Sequence, residues 1–177
     1  MSKIKIQGAR LSFPSLFQKA EFQGVSTKYE ATLMLHKEDH AEVIKQIKDA
    51  IKAAINSELK GAKVPSDKIC LKDGDESGRD EYAGHYTLKA ANNKRPKVID
   101  RDKTPITEED NKLYSGCYVN AVVDLWVMNN TYGKRVNANL LGVQFYKDGD
   151  TFESGSTADD DDFDDFEVAG DMDDFDI

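Results

Sequence analysis

Cysteine is scarce: the 177 residues contain two, Cys70 and Cys117, 47 positions apart. Neither belongs to a CxxC element or sits beside a histidine cluster, which disfavours a disulfide framework and a structural zinc site. No apolar run approaches the ~18 residues of a membrane span, and the opening MSKIKIQGAR lacks the apolar core of a signal peptide. The chain therefore reads as soluble and cytoplasmic, with no membrane partner. GxGxxG, GxSxG and GxxxxGK followed by Ser or Thr are all missing, so nucleotide hydrolysis and serine-type catalysis have no motif support. The last absence is of positive charge, since residues 148–177 contain no lysine or arginine.

Those 30 residues hold 14 of the 33 acidic side chains, so residues 1–147 carry all 24 basic residues against 19 acidic ones. The formal charge of -9 thus conceals a body of +5 joined to an acidic tail. Such asymmetry points to nucleic-acid or membrane partners.

From Lys3 to Phe13 apolar residues alternate, Ile4 and Ile6 on one parity and Leu11 and Phe13 on the other. Period two marks a strand, and a parity switch at Gly8-Ala9 marks a bulge or bend. SFPSLFQ is expected to leave the sheet, and alternation resumes from Lys28 to His36. Between Glu38 and Gly61 the period becomes helical, with Val43, Ile44, Ile47, Ile51, Ile55 and Leu59 on one face. Asp39 with Glu42 resembles a capping box, and Gly61 supplies the stop, predicting one amphipathic helix over about 39–60. A polar stretch follows to about Asp80, then a strand from Tyr82 to Ala91. Residues 92–115 read mainly as loop, with a short strand at Lys97 to Ile99. Cys117, Val119, Ala121, Val123, Leu125 and Val127 form a buried strand face, NNTYGK a turn, and RVNANLLGVQFY the antiparallel return. One helix among curved, mainly antiparallel strands predicts a mainly β protein, a small β-barrel of OB-fold type, over residues 1–150. Residues 151–177 are expected to form a disordered acidic tail.

Arg10, Lys89, Lys94, Arg95, Lys97, Lys134 and Arg135 lie in or beside elements that also carry Tyr82, Tyr86, Tyr118, Trp126 and Tyr132. Single-stranded nucleic acid needs this combination, because cations track phosphates while aromatic rings stack on bases at about 1–3 kcal/mol each. Trp126 has the parity opposite to the buried face, and Tyr132 with Lys134-Arg135 falls at a hairpin tip. These twelve residues are the candidate DNA-binding set. DGDESGRDEYAG begins like a calcium loop with Asp73, Asp75, Ser77 and Gly78, but its eighth and twelfth positions are Asp80 and Gly84, so the bidentate carboxylate is missing. HKEDH is not HExxH. No pattern calls for a metal or a cofactor, and no catalytic residue is assigned. Asp80, Glu81 and Asp124 could serve a metal-dependent nuclease or recombination enzyme, although their spacing does not ask for it. A protein-interaction or DNA-mimic module is the other alternative.

A β-rich basic body, the spacer ESGSTA and an acidic ending resemble single-stranded-DNA-binding proteins of bacteria and phages. More closely, KIKIQGARLSFPSLF, LMLHKEDHAEVIKQIKDAI and the acidic finish resemble a family of phage single-stranded-DNA-binding proteins formerly filed as a domain of unknown function. The resemblance implies an OB-fold that coats and protects single-stranded DNA without strong sequence preference during phage replication, recombination or repair, in the host cytoplasm. It also implies a tail that recruits phage or host replication and recombination proteins, here through Phe163, Phe166, Asp173, Asp174, Phe175, Asp176 and Ile177. The ending DDFDI departs from the bacterial D-D-D-I-P-F in lacking proline and closing on an aliphatic residue. Independently of any family, carboxylates at this density imitate a phosphate backbone and can compete for a basic groove at the high effective concentration of a tether.

Overall fold

The computed structural model describes residues 3–131, 133–151, 163, 164 and 166. The long first strand, β1 (Ile4–Ser15), is followed by a two-residue ladder of β2 (Glu21–Phe22) and β3 (Val25–Ser26), then β4 (Tyr29–His36) and α1 (Ala41–Glu58). After these come β5 (Leu71–Asp73), β6 (His85–Asn92), β7 (Lys97–Ile99) and the hairpin of β8 (Tyr118–Asn130) and β9 (Gly133–Lys147).

Five strands close on one another. β1 pairs antiparallel with β4 and β8, β4 with β6, and β8 with β9, and a parallel pairing of β6 with β9 completes the ring. This closed five-strand barrel is an OB-fold. Its interior is filled by the inward parity of every strand, including Leu33, Leu88, Val119, Val123 and Leu140, all fully buried. Each such side chain stabilises the fold by about 1.5–3 kcal/mol. The buried helix positions Ile44, Ile47 and Ile51 join the same core.

Two bulges shape β1. Ile6 faces Ala121 but Ala9 faces Val119, so one extra residue enters β1 at Gly8, whose φ is +70°. The extra residue flips the parity, and Ile4, Ile6, Ala9 and Leu11 all end up buried. The strand then continues through SFPS rather than leaving the sheet, because a second bulge between Ser12 and Ser15 absorbs Pro14.

The helix lies inside its expected span, but its start is built differently. His40 is the N-cap residue and makes no side-chain cap bond. The preceding turn is instead held by imidazoles: the backbone N–H of His36 donates to His40 Nδ1 at 3.0 Å, and those of Glu38 and Asp39 donate to His36 Nδ1 at 3.3 Å. With Nδ1 accepting, His40 donates from Nε2 to the Gln7 carbonyl, 3.0 Å away, and ties helix to barrel. At the other end the Gly61 N–H reaches the Ile55 carbonyl at 3.1 Å, with φ of +74° at Gly61.

The polar stretch before β6 contains β5 and short 3-10 turns, and β6 begins at His85 rather than Tyr82. Tyr82 lies in a 3-10 turn and is buried, its hydroxyl 2.9 Å from Ser12 Oγ on the outer side of β1. The short strand Lys97–Ile99 stands where the sequence places it. Among the described residues no helix is long and apolar enough to cross a membrane.

Candidate nucleic-acid interface

On the outside of the barrel, β4, β6, β9 and β8 present their outward parity to a common groove of about 520 Å³. Register explains its floor: Thr32 pairs with Lys89, Lys72 with Thr87, Trp126 with Asn137 and Met128 with Arg135. The segment 67–72 forms one wall, clamped where the Cys70 N–H donates to the Val136 carbonyl at 2.9 Å and the Lys89 N–H to the Cys70 carbonyl at 3.1 Å.

Five cations line this groove, Lys28, Lys68, Lys72, Lys89 and Arg135, with a single lining carboxylate, Asp67. Lys28 Nζ sits 5.7 Å from the centroid of the half-buried Trp126 ring, a cation–π contact that holds positive charge beside a flat apolar surface. Lys89 is paired with Glu30 at 3.3 Å. The groove therefore combines phosphate-sized positive charge with a ring face.

The structure brings together Lys89, Trp126 and Arg135 of the expected set. Tyr82 borders the same groove, but its burial leaves it little ring to offer. Tyr86 turns away: it shares the parity of the buried Leu88 and Ala90, its hydroxyl accepts from Lys48 Nζ at 2.7 Å, and Lys37 and Lys48 both lie over its ring. Arg10 and Tyr118 meet on a separate concave face, the guanidinium 5.7 Å from the ring centroid. Arg10 also donates to the carbonyls of Gly116 and Asp150 at 3.0 and 2.6 Å, clasping the chain where it leaves β9. Lys97 lines a third depression with Lys3 and Lys5. The Lys94 N–H donates to Asn92 Oδ1, and the Arg95 guanidinium lies 5.3 Å over Phe17. Lys134 stands exposed at the start of β9. Tyr132 lies outside the described residues, as do Asp173, Asp174, Phe175, Asp176 and Ile177; Phe163 and Phe166 are described and exposed.

Sequence reasoning missed Lys28, Lys68, Lys72 and Met128. A signal existed for Lys72, which alternates with the buried Leu71; none existed for Lys28, whose contact with Trp126 depends on barrel closure. Among the described residues no group of three or more His, Cys, Asp or Glu side chains could hold a metal ion. Asp124, considered for nuclease chemistry, accepts instead from Asn139 Nδ2 at 2.8 Å.

The family model of the Enterobacter phage Enc34 single-stranded-DNA-binding protein matches residues 2–175. The chain belongs to that family. A protein designated p50 of Acyrthosiphon pisum secondary endosymbiont phage 1 is 40% identical over 177 residues, covering 94% of this chain and 95% of its own length. Among solved structures, the Enc34 protein in complex with single-stranded DNA superposes with a TM-score of 0.78 at 31% identity, over 85% of this chain and 89% of that one. The bacteriophage T7 single-stranded-DNA-binding protein gp2.5 matches with a TM-score of 0.57 over 90% of this chain and 99% of its own, at 12% identity, a likeness of fold alone. The Enc34 family thus shares the barrel on which the groove described above is built.

Proposed function

We propose that this chain binds single-stranded DNA in the groove between the β4/β6 face and the β8/β9 hairpin, coating it without strong sequence preference during phage DNA replication, recombination or repair. The observation that carries the reading is the groove itself: five cations around one accessible tryptophan, on a barrel whose Enc34 relative is solved with single-stranded DNA. Lys89, Trp126 and Arg135, joined by Lys28, Lys68 and Lys72, are its contacts. Trp126 stacks on a base while the cations follow the phosphates. The protein acts by sequestering the strand, not by chemistry on it. The acidic C-terminal segment competes with DNA for the groove and recruits replication or recombination proteins, a role supported by its charge opposite to the body.

Trp126 is the single tryptophan, so its fluorescence reports the groove directly. Titration with poly(dT) is expected to quench it, and duplex DNA to do so far less. An unchanged signal with no shift in electrophoretic mobility refutes the proposal.

A further inference from the structure

One exposed aromatic outside the groove occupies a conformation that core packing does not require. Phe13 is 55% exposed, in the second bulge of β1, with φ of +47°, a left-handed backbone that a bulky residue rarely adopts. Its own N–H is satisfied by Ser115 Oγ at 2.9 Å. The Arg79 guanidinium lies 4.9 Å from the Phe13 ring centroid and 5.9 Å from that of Tyr82, with Glu81 3.4 Å from Arg79 Nη1. A ring covered by a cation that still remains half in water is available to a second flat partner. The bulge holds it outward, and such strain gathers at ligand-binding positions.

This pair adjoins the groove at Tyr82. Tyr82 borders the groove and its hydroxyl meets Ser12, the neighbour of Phe13; Ser12 in turn pairs with Thr32 on the groove floor. We propose that Phe13 and Arg79 form a second station on the path of the same DNA strand, Phe13 stacking on a base and Arg79 meeting the adjoining phosphate. The inference rests on the groove reading and extends it, assigning the strand a direction of travel from the Trp126 hairpin across the β4/β6 face towards β1.

Oligothymidines of two lengths separate the two stations, one of about 5 nucleotides that fills the groove and one of about 16 that reaches beyond it. Phe13→Ala in the full chain is expected to weaken binding of the long strand by about 5- to 150-fold, the worth of one stacked base, and to leave the short strand unaffected. Arg79→Ala should act in the same direction and flatten the salt dependence for the long strand only. A second variant guards against misfolding: Phe13→Trp in a Trp126→Phe background places the only tryptophan at the second station, where long strands quench it and short ones do not. Equal effects on both lengths, or none on the long one, overturn the second station while leaving the groove intact. Failure of both lengths to bind the unaltered chain removes the groove reading and this inference together.

Discussion

Salt dependence offers the most quantitative test of the groove, because its charges can be counted. Each phosphate neutralised on single-stranded DNA contributes about -0.7 to the slope of log affinity against log salt. If Lys28, Lys68, Lys72, Lys89 and Arg135 all engage phosphates, the slope is about -3.5. Glu30, 3.3 Å from Lys89, already occupies one of the five; if it keeps its partner, the slope is about -2.8. A fourfold rise in salt should then weaken binding by about 50- to 130-fold. Lys72→Gln should flatten the slope by about 0.7. Glu30→Gln should do the reverse, releasing Lys89 and removing a repelling carboxylate, so that affinity rises and the slope steepens towards the upper figure. Trp126 quenching by oligothymidine over a sodium chloride series reads all three proteins. Lys52, exposed on α1, supplies the control. Flattening by Lys52→Gln equal to that by Lys72→Gln, or weaker binding by Glu30→Gln, would refute the assignment of the groove.

Tyr82→Phe removes the partner of a buried Ser12 hydroxyl and should cost about 1–3 kcal/mol in urea unfolding, while oligothymidine affinity holds because the ring stays in place. Burial pushes the Cys70 thiol from 9.0 up to about 11 and raises that of Cys117 as well, so the folded chain keeps both protonated where the unfolded chain ionises them. Their contribution to stability is therefore flat below the ordinary thiol range and declines above it, for Cys70 as pH rises from 9.0 towards 11; Cys70→Ala should remove its share of that decline, measured as the urea midpoint against pH.

The barrel interior was legible because burial imposes period two wherever a strand has one wet face. The alternating run from Cys117 to Val127 marks a wall of the core, and the parity switch at Gly8, which allows a bulge or a bend, is an inserted residue. SFPS stays in the sheet, against expectation, because a bulge between Ser12 and Ser15 carries Pro14 within an unbroken β1. The helix cap at Asp39 was a reasonable local expectation, displaced by two imidazoles whose geometry depends on β4 and on Gln7 of β1.

Groove membership obeys a different logic, and Tyr82 and Tyr86 show what decides it. Tyr86 was detectable from sequence, since it sits two and four residues before Leu88 and Ala90 and so had to point with them, under the helix and its lysines. Tyr82 was not, because its burial follows from a 3-10 turn folding back onto Ser12, 70 residues earlier. Lys28 and Trp126 are brought together only by closure of the ring, and closure rests on the parallel contact of β6 with β9 at Ala90 and Ala91. Inward positions are thus set within a strand, by its own alternation. Outward positions become a binding surface only through the neighbours that ring closure supplies, so a sequence can nominate ring and cation types but cannot say which of them share a face.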